Sequence, residues 1–206
     1  MNPHSLAAIV LAAGESKRMG QPKMSLPWGK TTVIGQVVTT LAQTGIEDII
    51  VVVGGGRAEL LEALAHLPSS VHYRTVFNPD YASDEMSRSL QVGLGALTDE
   101  IQAAMVVLGD QPQIESEVVE EVLSAYDASQ AALVIPSYQM RRGHPWIVER
   151  SLWPEIIALR NPATLRHFLQ AQSDKIHYVN VSRPSILIDL DTPQQYQESK
   201  PVPNDS

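Results

Sequence analysis

Residues 6–23 read LAAIVLAAGESKRMGQPK. Ala7 to Ala13 make one unbroken apolar run, the composition of a strand buried on both faces of a parallel sheet, and Gly14 stops it. Lys17, Arg18 and Lys23 then crowd into the next nine positions of a chain whose formal charge is −8. Such a loop can be plain solvated surface. It can equally be an anion nest, because Gly14 admits close backbone approach and successive N–H groups can converge on a phosphate. The pattern is neither GxxxxGK[ST] nor GxGxxG, so it is not a Walker loop or a dinucleotide fingerprint. Arg18 offers a planar fork and Lys23 a mobile point charge expected to face solvent, while Lys17 is expected to point outward.

The same grammar repeats downstream. Strand candidates at 48–53 (DIIVVV), 71–77 (VHYRTVF), 104–108 (AMVVL) and 131–135 (AALVI, stopping at Pro136) alternate with helical periods over 31–43, 57–66, 86–97 and 115–127. The stretch 137–170 is less regular, with short helices expected at 151–158 and 163–170. Two late strands are expected at 175–181 and 185–190, and a last helix from Pro193, with Thr192 as N-cap and Gln195 completing a capping box. Repeated strand–helix units predict an α/β fold, an open and mostly parallel sheet covered on both faces. A chain of 206 residues suits one domain, with a core over about 6–197 and a flexible tail at 198–206.

Four polar segments fall at the carboxyl ends of strands: Gly14 to Lys23, Asn78 to Ser89, Gly109 to Pro112, and Asp189 to Asp191. Sheets of this type bind ligands at that edge. The bulk composition narrows what the ligand can be. A charge of −8 argues against a nucleic-acid or anionic-membrane surface, yet it leaves room for a small anion gripped by local cations. Without cysteine there is no disulfide, thiolate metal site or cysteine nucleophile. No segment has the 18 or so apolar residues of a membrane span, and the N-terminus lacks an export signal, so a cytoplasmic protein is expected.

Each corner has a functional reading beside a bland one. Asp110, in VVLGDQP, either caps the helix expected near Ile114 or offers Mg²⁺ a hard oxygen beside phosphates. Alternation places Asp189 and Asp191 on one side of an extended segment, where two close carboxylates call for a cation. Ser87 or Ser89, in EMSRSLQVGL (85–94), can cap a helix or meet a ligand. In RRGHPWIV (141–148), Arg141 and Arg142 can be a solvated pair and His144 a loop residue.

Leu11, Ala12, Ala13, Gly14, Ser16, Arg18, Met19, Gly20, Pro22 and Lys23 together give the chain its resemblance to a known family. LAAG-x-S-x-RMG-x-PK resembles the signature of the molybdenum cofactor cytidylyltransferase-like nucleotidyltransferases, in the MobA-like NTP transferase superfamily. GDQP, the serine before Leu90, GHP and D-x-D-T-P occur in the family's order, so the resemblance runs from about Ala7 to Tyr196. It implies a three-layer Rossmann-like sandwich with a mixed, mostly parallel sheet, of the nucleotide-diphospho-sugar transferase type. It also implies Mg²⁺-dependent (alternatively Mn²⁺-dependent) transfer of a nucleoside monophosphate from an NTP, releasing pyrophosphate.

By that resemblance Leu11 to Gly14 and Ser89 hold base and ribose, and Arg18 and Lys23 hold the triphosphate. Asp110 with Asp191, or Asp189, holds the metal, with Asp191 favoured. Arg142, His144 and Arg166 face the acceptor. Ala13, where the guanylyl branch carries glycine, points to CTP, and the acceptor implied is a molybdopterin-type phosphate, with a molybdoenzyme or its maturation factor as a further partner. A guanylyltransferase, a sugar- or alditol-phosphate nucleotidyltransferase and a non-catalytic molybdenum cofactor carrier are the alternatives. One departure bears on the acceptor: the family's G-D-x-G-x-R stretch is Asn161-Pro162-Ala163-Thr164-Leu165-Arg166 here, and only the arginine is kept.

Overall fold

The computed structural model describes residues 6–83 and 86–201. Glu85 of the EMSRSLQVGL segment, the N-terminal Met1 to Ser5 and residues 202–206 of the expected tail lie outside them. The sheet has eight strands: β1 (Leu6–Ala12), β4 (Asp48–Val53), β5 (Arg74–Phe77), β6 (Ala103–Leu108), β7 (Leu133–Tyr138), β8 (Arg141–Arg142), β9 (Trp146–Glu149) and β10 (Ile176–Asn180). A two-stranded hairpin of β2 (Pro27–Trp28) and β3 (Thr31–Thr32) stands apart. The order across the large sheet is β10-β7-β9-β6-β1-β4-β5, with β8 added on β7. All its pairings are parallel except those made by β8 and β9. The fold is therefore α/β, with a mixed and largely parallel sheet.

The apolar run of β1 follows from its central place. Ala8, Val10 and Ala12 enter one core; there they meet α1 (Val33–Gln43), α2 (Arg57–Ala65) and α4 (Ser116–Ser129) through residues such as Ile34, Leu64 and Val122. Ala7, Ile9, Leu11 and Ala13 enter the other, formed with α3 (Met86–Gly95), α5 (Trp153–Ile157) and α6 (Leu165–Ala171) through Leu90, Trp153 and Phe168. Both faces bury side chains at roughly 25 cal/mol per Å² of apolar surface, so no polar alternation is tolerated. α3 comes close because Gly93 has no side chain; a Cβ there would lie 2.4 Å from Ile9 Cγ2.

Several expected elements changed. Trp146–Glu149 was hidden in the irregular stretch, yet β9 inserts antiparallel between β6 and β7. β7 does not stop at Pro136 but continues to Tyr138. The Pro136 carbonyl accepts from Gly143 N (2.9 Å), so its missing N–H falls in the gap where β9 pairing ends and β8 pairing begins. The strand expected at 71–77 is short, because Val71 N closes a turn on Pro68 O. The strand expected at 185–190 does not form: Pro184–Leu187 is a 3-10 turn. Its carbonyls go singly to other partners, Ile186 O to His144 N (3.2 Å) and Ile188 O to the Gln113 side chain. The last helix, α7 (Pro193–Ser199), has the expected Thr192–Gln195 capping box.

Candidate active site

Strand order reverses at β1: the chain runs outward through β4 and β5, then returns to place β6 on the other side. The register Leu11↔Leu108 sets the loop after β1 beside the turn after β6, at the switch point where such sheets take ligands. A cavity of about 330 Å³ opens there. Leu11, Ala13, Gly14 and Lys23 line it from the first loop, and Ser89 from α3. Asp110, Asp189 and Asp191 complete its polar wall. Arg18 lines an adjoining cavity of about 220 Å³ that shares Gly14, Lys23 and Asp191. Ala12 does not face either; its side chain is fully buried in the core with α1.

Lys23 overturns one expectation. Its ammonium does not face solvent: the side chain is 11% exposed and lies 2.5 Å from Asp110 Oδ2 and 3.1 Å from Asp191 Oδ1. Burial pulls its pKa down, but the charge of Asp110 and the hydrogen bonds to Asp110 and Asp191 outweigh that and hold it above the usual lysine value. Arg18 binds the other oxygen of Asp191, Nη1 to Oδ2 at 3.0 Å, from a far more exposed position. Asp110 is therefore no helix cap; α4 begins at Ser116 and its carboxylate is engaged across the cleft. Asp189 is held from behind by Gln111 Nε2 at 2.8 Å. Burial raises its carboxyl above the ordinary range, Asp110 and Asp191 add to the rise, and Gln111 and Lys23 oppose it.

The loop itself is braced. Ser16, at φ 53°, accepts from Lys23 N (3.1 Å) through Oγ and from Met19 N (2.9 Å) through its carbonyl. The glycines of VVVGGGRAE form its seat. A Cβ on Gly54 would meet Ala13 O at 2.6 Å and Tyr81 Cβ at 2.5 Å, and one on Gly55 would meet Glu15 Cγ at 2.9 Å. Lys17, expected to point outward, is largely exposed but borders the adjoining cavity, where it pairs with Glu15 at 2.8 Å. Ser89 is buried and accepts from Asn78 Nδ2 at 3.1 Å. The family resemblance of GDQP implies Gln111 beside the metal ligand, whereas Asn78 and Tyr81 carry no individual signal within the polar segment after β5.

The three expected acceptor residues lie away from this cluster. Arg142 is exposed on β8, its guanidinium 5.3 Å from the centre of the Tyr178 ring. Arg166 is exposed in the first turn of α6. His144 is partly buried beside Trp146, and burial pushes its imidazole down to about 4, so it is neutral at pH 7.

No group of three or more acidic or imidazole side chains among the described residues is disposed to hold a metal. Asp110 and Asp191 nevertheless converge on one ammonium, so a cation between them has two hard oxygen ligands. That set suits Mg²⁺, which binds through one or two carboxylates and takes other oxygens from water and substrate phosphates.

Residues 8–176 match the family of the MobA-like NTP transferase domain. The molybdenum cofactor cytidylyltransferase of Escherichia coli K12 is 27% identical over 197 residues, covering 95% of this chain and 96% of that protein. The bifunctional GlmU of Clavibacter sepedonicus is 27% identical over 125 residues, and the match spans 24% of its length. Among solved structures, Rv0371c of Mycobacterium tuberculosis H37Rv aligns with a TM-score of 0.79 at 23% identity, covering 96% of this chain and 98% of that one. A nucleotidyl transferase from Methanothermobacter gives 0.78 at 23% identity, covering 95% of each chain. No described helix is long and apolar enough to cross a membrane. With the family model matched over residues 8–176 and the sheet shared with solved structures over nearly the whole length, the chain belongs to the MobA-like NTP transferase family and is a nucleotidyltransferase-type enzyme.

Proposed function

We propose that the protein transfers CMP from CTP to a phosphorylated acceptor of the molybdopterin type and releases pyrophosphate. The observation that carries this reading is the meeting of Lys23, Asp110 and Asp191 in the wall of the cleft. Leu11, Ala13 and Ser89 are set to receive base and ribose, and Arg18 and Lys23 to receive the triphosphate. Asp110 and Asp191 would hold the metal, and Asp189, braced by Gln111, stands beside them. When bound, Mg²⁺ supplies electrostatic stabilisation of the charge that develops on the phosphoryl oxygens.

The acceptor phosphate oxygen attacks the α-phosphorus in line, and pyrophosphate leaves. A phosphate nucleophile is ionised near pH 7 and needs no general base, which matches a His144 held too acidic to serve as one. His144 instead offers a neutral N–H for orienting the acceptor, with Arg142 and Arg166 supplying charge. The assignment to cytidine rests on the Ala13 methyl packed over Gly54 at the cleft wall, and on likeness to the E. coli cytidylyltransferase.

Pyrophosphate release measured across the four NTPs, against phosphorylated acceptors including molybdopterin and sugar phosphates, tests the reading. CTP with the molybdopterin-type acceptor is expected to turn over fastest. A preference for GTP would move the protein to the guanylyl branch, and a preference for a sugar phosphate would replace the acceptor. Tight cofactor binding with no pyrophosphate from any pair would make it a carrier.

A further inference from the structure

We infer that Lys23 is the built-in counter-ion of the Asp110–Asp191 pair, so that the metal site opens only when nucleotide phosphates draw the lysine away. The inference rests on the proposed metal-dependent reading and adds an order of assembly to it. The ammonium stands between the two carboxylates, at 2.5 and 3.1 Å, in the space a cation bridging them requires. A divalent ion and an ammonium cannot share that space, because like charges a few Å apart repel strongly where water is scarce.

The lysine is also built to leave. Its backbone N–H is fixed to Ser16 Oγ at 3.1 Å, whereas the four-carbon stem beyond it is flexible. Both the cleft and the adjoining cavity over Gly14 and Arg18 are lined by Lys23, so the ammonium has a second position to move to. Arg18 repeats the arrangement from outside, on the other oxygen of Asp191. A triphosphate entering over Gly14 would therefore recruit two cations that now neutralise carboxylates. Asp110 and Asp191 would be exposed to each other and to Asp189, and the metal delivered with the nucleotide would answer that charge. Coupling of this kind is reciprocal: phosphate binding and metal binding strengthen each other, and each alone is weak.

Mn²⁺ binding followed by electron paramagnetic resonance, with and without CTP, tests this on the full chain. Wild type is expected to bind Mn²⁺ alone weakly and to tighten on adding CTP. Lys23→Gln should bind Mn²⁺ alone at least about tenfold more tightly than wild type, since it removes a unit charge from beside the site. That is a gain, which neither a lost phosphate contact nor partial unfolding can produce. Arg18→Gln should show a smaller gain, and it tests the same exchange should Lys23→Gln not fold. Lys175→Gln removes the same charge from an exposed turn that lines neither cavity and should leave Mn²⁺ binding unchanged. Equal or weaker Mn²⁺ binding by Lys23→Gln, or an equal gain in Lys175→Gln, overturns the inference while leaving CTP-supported metal binding intact. Absence of Mn²⁺ binding in wild type even with CTP removes the metal-dependent reading and the inference with it.

Discussion

The two regions proposed for nucleotide and for acceptor hold their charges in different ways. Where β1 and β6 end, Lys23, Asp110, Asp191 and Arg18 form a chain of contacts of 2.5 to 3.1 Å, set in loops and turns beside strands buried from both faces. Towards β8 and α6, Arg142 and Arg166 extend from exposed positions, and His144 is kept neutral by burial. The first side pairs its charges at short range where little water reaches, so each contact is strong, and turnover would depend on exchanging those contacts for substrate phosphates and metal. The second presents cations that water can screen, an arrangement suited to steering and docking an anionic acceptor. Changes on the first side should therefore act on turnover, and changes on the second on acceptor binding.

The strongest way to break that contrast is Asp110→Asn. The replacement keeps an acceptor oxygen and the shape but loses the charge that answers both lysine and metal. Pyrophosphate release at saturating Mg²⁺ should fall by roughly 10²- to 10³-fold, comparable to loss of one preorganised electrostatic contact. Asp191→Asn should follow closely and Asp189→Asn less so, because Asp189 is turned to Gln111 rather than to the shared ammonium. Near-normal turnover in both Asp110→Asn and Asp191→Asn would leave the cleft without its proposed chemistry.

Lys23→Ala comes next, with two effects. Turnover should drop by about 10²-fold. The buried position of the ammonium adds a loss of about 1–3 kcal/mol in stability, less than for a fully buried pair because Asp191 is 40% exposed. Chemical denaturation alongside kinetics separates the two. An unchanged denaturation midpoint would mean that the Lys23 contacts carry no net stability.

How far the sequence foretold this arrangement follows the same division. β1, β4 and β6 were legible because strands buried on both faces have near-continuous apolar runs, and their polar ends located the cluster of Lys23, Asp110 and Asp191. The region of β8, β9 and residues 185–190 was harder to read. Trp146–Glu149 is four residues long and follows Gly-His-Pro, so nothing local distinguishes a central strand from a loop. ILIDL at 186–190 has the alternation of a strand, but tertiary partners such as His144 N and Gln113 claim its carbonyls. The burial of Lys23 was equally illegible, since it depends on carboxylates 87 and 168 residues away along the chain.

His144→Gln sharpens the comparison through pH. The unfolded imidazole takes a proton below about pH 6.5, and the folded one only below about 4. The unfolded state thus binds more protons between those values, so wild type is fully stabilised above pH 6.5 and weakens as pH falls towards 4. His144→Gln should remove about 2 kcal/mol of that decline, after allowance for partial exposure. The raised Asp189 carboxyl acts in the opposite sense on acidification, and the substitution leaves it in place. Unfolding free energies of both proteins at pH 4.5 and 7.5 check it; parallel curves would mean that the ring is not buried as neutral imidazole.

The smallest effect is expected at Arg142, and it separates docking from chemistry. The guanidinium lies over Tyr178 on an exposed part of the sheet, a stacking worth about 0.5–1 kcal/mol at such sites. Arg142→Ala should therefore lower stability by less than about 1 kcal/mol. If Arg142 serves the acceptor, the KM for acceptor should rise by roughly five- to tenfold, while the KM for CTP and kcat stay near wild type, the pattern of binding shared equally by ground and transition states. Raising ionic strength should shrink the difference between the two proteins, because a solvent-exposed cation is screened within about 8–10 Å. Arg142→Lys should recover part of the loss if charge alone matters, and little of it if the planar fork holds two phosphate oxygens. A fall in kcat with unchanged acceptor KM would place Arg142 with the cluster of Lys23, Asp110 and Asp191, and the contrast between the two regions would no longer hold.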